Sequence, residues 1–129
     1  MAIVSMGAIS SEAKEAVDRL RKEKLPVGAI KLRVFRPFPV EAFQELGKRV
    51  KAFVVIDRDI SFGMEGFLAS ETKASLFNLD VKPLVAGFIA GLGGRDVTAD
   101  TIEMVVKKSL KCMHMRKIER DTEWVELRE

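Results

Sequence analysis

The chain has 129 residues, 47% of them hydrophobic and 32% charged, which is the composition of one globular domain and not of a disordered segment. Its net charge of +3 arises from 22 basic and 19 acidic residues scattered along the sequence, which excludes the basic stripe of a nucleic-acid binder. One cysteine and one histidine give neither a disulfide nor the ligands of an iron–sulfur cluster or zinc site, and the longest apolar run, 84–92, is far short of a membrane span of roughly 20 residues.

From the first residues the pattern alternates strand and helix. Ala2–Met6 is a short apolar run closed by Gly7. Ser10 or Ser11 then caps a helix carrying Ala13, Ala16, Val17 and Leu20 at helical spacing, which Pro26 stops. A second strand is expected over 27–34. Pro39 opens a second helix with Val40, Phe43 and Leu46 on one side. The continuously apolar run 52–56 suits the middle of a covered parallel sheet, and 64–77 is the third helix. A fourth strand over 83–92 ends in Gly91-Leu92-Gly93-Gly94, and Thr98 caps a fourth helix with Ile102, Val105, Val106 and Leu110 facing inward. The tail 112–129 sets charged residues around Ile118, Trp124, Val125 and Leu127, and Trp124 docks a strand-like segment over 123–127. This alternation predicts a single α/β domain over residues 1–129, a three-layer α/β/α sandwich whose parallel strands are joined by right-handed crossovers. The first strand begins at residue 2, as in a piece of a longer polypeptide or the product of a split gene. The opening residues lack a basic, then apolar, export signal, so a cytoplasmic location is expected, with neither membrane nor nucleic acid as partner.

Three segments carry residues suited to chemistry or to contacts. The turn Gly91-Leu92-Gly93-Gly94-Arg95-Asp96 can present backbone N–H groups to a phosphate, so Gly91, Gly93, Gly94 and Arg95 are candidates for a nucleotide or coenzyme A-type ligand. Yet the third glycine of a dinucleotide fingerprint falls on Asp96, there is no Walker lysine, and Asp96, Asp100 and Glu103 compete with a bound anion. A tight turn with Arg95 paired to a carboxylate is the simpler reading. The segment from Asp57 through Arg58, Ser61 and Gly63 to Gly66 follows the central strand, where open α/β sheets place ligands. Asp57 has no histidine within sequence reach, and burial beside Arg58 would hold it ionised, so a structural ion pair or interface contact is expected. The segment with Arg33, Arg36 and Phe38 between Pro37 and Pro39 is rigid and amphipathic, rich in the residue types that interfaces favour. Glu71 shares a helix face with Phe67 and Leu68, and Arg36 or Arg95 could pair with it. Cys112, Met113, His114 and Met115 sit side by side after the last helix, and without a second such cluster they read as packing residues.

In order along the chain, Leu32-Arg33-Val34-Phe35-Arg36-Pro37-Phe38-Pro39, Val55-Ile56-Asp57-Arg58 with Ser61-Phe62-Gly63, and Gly91 through Thr98 resemble successive signatures of core domain II of pyruvate:ferredoxin oxidoreductases and their relatives acting on branched 2-oxoacids. The run Glu123-Trp124-Val125-Glu126-Leu127-Arg128 is similar to how those α subunits end. The resemblance implies a fold like the C-terminal domain of transketolase: a five-stranded, mostly parallel sheet with one antiparallel edge, the fifth strand lying around 122–127. It implies a place in an enzyme that converts a 2-oxoacid and coenzyme A to an acyl-coenzyme A and carbon dioxide, reducing ferredoxin. Thiamine diphosphate, Mg and iron–sulfur clusters would then belong to the remaining part of the α subunit and to the other subunits. No catalytic residue carries over, and the isolated chain is expected to be inactive. Its expected role is assembly, through Arg33, Arg36, Phe38, Asp57, Arg58, Ser61, Gly63, Gly66, Glu71, Arg95, Asp96 and Trp124. Relatives are richer in glycine where this chain has Gly63-Met64-Glu65-Gly66.

Overall fold

The computed structural model describes residues 1–126. The elements run β1 Ala2–Met6, α1 Ile9–Lys22, β2 Gly28–Leu32, α2 Val40–Gly47, β3 Ala52–Asp57, α3 Phe67–Leu76, β4 Leu84–Ile89, α4 Ala99–Met115 and β5 Thr122–Trp124, with a 3-10 turn at Leu92–Gly94. The sheet has the order β2-β1-β3-β4-β5, and every pair is parallel. Side chains alternate between the faces of the sheet. Ile3, Val54, Ile56 and Phe88 pack under α1 and α4, whereas Val4, Phe53 and Val55 pack under α2 and α3. β3 is buried along its whole length, as the unbroken apolar run over 52–56 requires of a strand covered on both faces.

Two expectations about topology change. The fifth strand lies in the tail, as anticipated, and runs parallel to β4, and among the described residues the sheet has no antiparallel edge of the kind the resemblance implies. The reason is the length of α4: 17 residues rise about 25 Å and return the chain to the end of the sheet where β4 began. The crossovers also do not share one hand. The β1–β2 and β4–β5 connections step in opposite directions along the sheet, yet α1 and α4 lie on the same face. With parallel strands these two crossovers have opposite hands, whereas β1–β2, β2–β3 and β3–β4 agree. The last connection is thus the exception to the usual rule. It ends in a strand of three residues at the sheet edge. Hydrogen–deuterium exchange is expected to show the β5 amides opening about tenfold or more faster than those of β3. Equal protection would mean that β5 unfolds only with the whole sheet.

Boundaries shift for local reasons. Gly7 turns with a φ of +69° straight into α1, so Ser10 lies inside the helix and pairs its buried hydroxyl with Ser5, at 3.1 Å, in place of capping. The helix ends at Lys22, before Pro26, because Lys24 takes the left-handed conformation with a φ of +62°. α4 runs on to Met115, so Cys112, Met113, His114 and Met115 are helical, and Arg116 in the left-handed region stops the helix. Thr98 does cap α4, accepting the N–H of Thr101 at 3.3 Å. β5 stops at Trp124; of the strand expected over 122–127, Leu127 lies outside the described residues.

Candidate functional site

The loops that follow the strands gather at the carboxyl end of the sheet. β1 and β3 are neighbours, but the chain leaves β1 for one face and β3 for the other, so a crevice opens between them. A pocket of about 460 Å³ fills that crevice, lined by Met6, Gly7, Phe35, Asp57, Asp59 and Phe67 among others. This is the size range of ligand sites.

Asp57 forms the polar part of its floor. It is 3% exposed, and its two oxygens accept the N–H groups of Leu68 at 2.9 Å and Ala69 at 3.0 Å. Asp59 accepts the N–H of Phe67 at 3.0 Å. The two aspartates therefore satisfy the first three amides of α3, which have no partner within the helix. This explains why α3 begins at Phe67 and not at 64: the chain from Ser61 to Glu65 is closed on itself as a turn by N–H groups of Ser61 and Met64. Burial pushes the Asp57 carboxyl up to about 6, the two amides offsetting this in part, while Asp59 and Glu65 add repulsion. The expected pairing with Arg58 is absent. Arg58 turns the other way, its Nε donating to the carbonyl of Gly91 at 3.0 Å and its Nη2 to that of Arg95 at 3.2 Å.

Arg58 thus ties the loop after β3 to the glycine turn after β4. The network continues to the segment after β5, because Arg95 donates to the Glu126 carbonyl at 2.5 Å and Thr101 donates to the Glu126 carboxylate at 2.5 Å. Gly91, Gly93 and Gly94 have φ of +76°, +69° and +78°, so the turn is one that side chains rarely adopt. It presents carbonyls to an arginine, residues 95–98 separate it from α4, and Thr98 and Glu126 already occupy the helix end. That geometry weighs against a phosphate cradle.

At the other flank Arg36 pairs with Glu71 at 2.5 Å and lies 4.2 Å from the centroid of the Phe35 ring. Phe35 meets Phe38, which stacks on the buried Phe43, so this segment is pinned by an aromatic row running into the core. Arg33, Asp96 and Gly63 are exposed, Ser61 is half-buried, and Trp124 is 45% exposed on the outer strand. Sequence reasoning passed over Met6, Gly7 and Phe67 as pocket-lining residues. Only the order of the strands brings them together, and no local pattern announces that. Gly66, a glycine in the segment after the central strand, is the one sequence sign that the chain packs closely on something there.

The family model for pyruvate:ferredoxin oxidoreductase core domain II matches residues 1–102. The chain belongs to that family. Ketoisovalerate oxidoreductase subunit VorA of Pyrococcus horikoshii is 42% identical to it over 125 residues, 97% of this chain and 32% of the relative. Pyruvate synthase subunit PorA of Pyrococcus abyssi is 41% identical over 125 residues, again 97% and 32%. The PorA subunit of Thermotoga maritima is 38% identical over 108 residues, covering 84% of this chain and 28% of its own length. This core domain II chain therefore spans about a third of the relatives it matches.

Asp57 commits both oxygens to α3, Asp59 and Glu65 are engaged with Phe67 and Lys73, and among the described residues no three His, Cys, Asp or Glu side chains come together to hold a metal ion. No helix among the described residues is long and apolar enough to cross a membrane.

Proposed function

We propose that this chain is an assembly domain of the α subunit of a 2-oxoacid:ferredoxin oxidoreductase, placing the catalytic parts of the enzyme relative to one another without carrying chemistry itself. Its enzyme converts a 2-oxoacid and coenzyme A to an acyl-coenzyme A and carbon dioxide and passes electrons to ferredoxin, in the cytoplasm. Thiamine diphosphate, magnesium and iron–sulfur clusters are held by the remainder of the subunit and its partner subunits. The observation that carries this reading is the even similarity to both a ketoisovalerate and a pyruvate enzyme subunit over nearly the whole chain. A part whose sequence matches relatives named for different substrates equally well suits a framework better than a substrate pocket.

The contact regions are the segments 33–39, 57–66 and 91–96. The test is co-expression of the chain with the rest of the subunit and the partner subunits, followed by purification of the complex. A stoichiometric complex containing thiamine diphosphate and iron supports the reading, and a chain that stays apart from all of them refutes it. Within that complex, Arg36→Ala separates assembly from folding. The Arg36–Glu71 pair is 60% and 32% exposed, so its loss should lower the stability of the isolated chain by no more than about 1 kcal/mol. Complex yield is expected to fall severalfold. Full complex formation together with a sharply lower melting temperature would reverse the assignment.

A further inference from the structure

Around the pocket at the carboxyl end of β1 and β3 lies apolar surface that the domain itself does not cover. Met6 and Phe67 form exposed pocket walls, and Asp59 and Phe67, joined by a hydrogen bond, mark its mouth. From that mouth the 60–66 loop carries Phe62, 99% exposed, and Met64, 66% exposed. Val34, on the loop beside Phe35, is also exposed. Large apolar side chains standing together in water mark a surface that is covered by something else.

Resting on the assembly reading above, we propose that this pocket and its rim form the docking site for a polypeptide segment from the part of the oxidoreductase outside this chain. That segment inserts an apolar side chain between Met6, Phe35 and Phe67 and presents a basic or hydrogen-bond-donating group to Asp59. Three features choose this occupant. A small molecule could fill the crevice, but it would leave Phe62 and Met64 in water, whereas a polypeptide covers both. The chain is 32% of the length of its relatives, so abundant polypeptide exists to do so. The charge at the mouth also selects the partner. Asp57 and Asp59 line the pocket, while the guanidinium of Arg58, the one basic side chain lining it among the described residues, is held by the carbonyls of Gly91 and Arg95. In a second copy docked pocket to pocket, the same two acidic side chains would meet across the two-fold axis.

The test compares thiol reactivity in the isolated chain and in the assembled complex. In a Cys112→Ser background, Phe62→Cys places a thiol on the rim, and Val81→Cys places a control thiol on the exposed segment before β4, at the opposite end of the sheet. Assembly is expected to slow maleimide labelling at position 62 by about tenfold or more, with little change at 81, as the core of an interface excludes water. A short crosslinker at position 62 should then capture a segment of the remaining subunit that contains apolar and basic residues. Assembly that leaves position 62 labelling at its free rate overturns the docking site but keeps the assembly role. Failure of any complex to form overturns both. Protection at 62 in the isolated chain, rising with its concentration, would assign the surface to a second copy and so also overturn the proposal.

Discussion

Gly66→Ala is expected to destabilise the domain by about 3 kcal/mol or more, the sum of overpacking and the loss of charge-assisted hydrogen bonds. Gly66 is in extended backbone with a φ of −65°, so conformational freedom is not what demands a glycine there. Space is. A Cβ at this position would stand 2.2 Å from Cγ and Oδ2 of Asp57 and 2.4 Å from its Cβ. No rotation of the added methyl relieves that contact, so either the aspartate leaves the amides of Leu68 and Ala69 or α3 lifts from the sheet. Both routes expose the start of α3 and loosen Leu68 and Ala69 from the core under α2 and α3. Urea denaturation followed by circular dichroism should report a lower midpoint with little change in slope. Gly63→Ala makes a useful contrast, since no atom lies within 4 Å of its added Cβ and only its φ of +73° opposes the change. A loss at Gly66 no greater than that at Gly63 would mean that the Asp57 contact yields easily.

What could be read in advance, and what could not, divides along a physical line. The buried strand over 52–56, the cap at Thr98 and the inward row of Ile102, Val105 and Val106 depend on neighbours within a turn or two, and local pattern reports them. The apolar alternation likewise placed the layers, because a strand or helix face must be buried somewhere. Asp57 was misjudged because its partner was sought next to it in sequence, at Arg58. The two residues point to opposite sides of a strand end, one to the start of α3 and the other to a turn 33 residues away. The same distance hid the pocket, whose walls come from β1, from the β2 loop and from α3. The edge strand in the tail is legible, but its direction is not, since direction depends on how far α4 carries the chain, and α4 is longer than its apolar row suggests. The family motifs marked these loops without saying what each residue touches.

The buried carboxyl of Asp57 gives the domain a pH response of unusual sign. In the unfolded chain this group titrates near 3.8, and in the fold burial raises it to about 6. The folded state therefore binds the proton more tightly than the unfolded state does, so this residue opposes folding when ionised. Its penalty is full above pH 6, shrinks as pH falls through 6 and is gone below about 4. The difference corresponds to a few kcal/mol, on the order of 3, at 1.36 kcal/mol for each pH unit. Glu45 acts in the opposite direction: beside Lys48 it is held below its ordinary value and favours folding above it. Overall acid stability therefore mixes the two, and the contribution of Asp57 must be isolated by difference. Asp57→Asn supplies that comparison. The amide keeps one acceptor for an α3 N–H but turns its own NH2 toward the other, so the variant should be less stable than the parent at neutral pH. It has no proton to gain, however, so the parent should gain on the variant steadily as pH is lowered from 7 to 4. Denaturation midpoints measured at four or five pH values would show this as a widening gap. A constant gap would mean that the α3 amides hold the carboxylate ionised throughout, and that the start of that helix outweighs the burial of the charge.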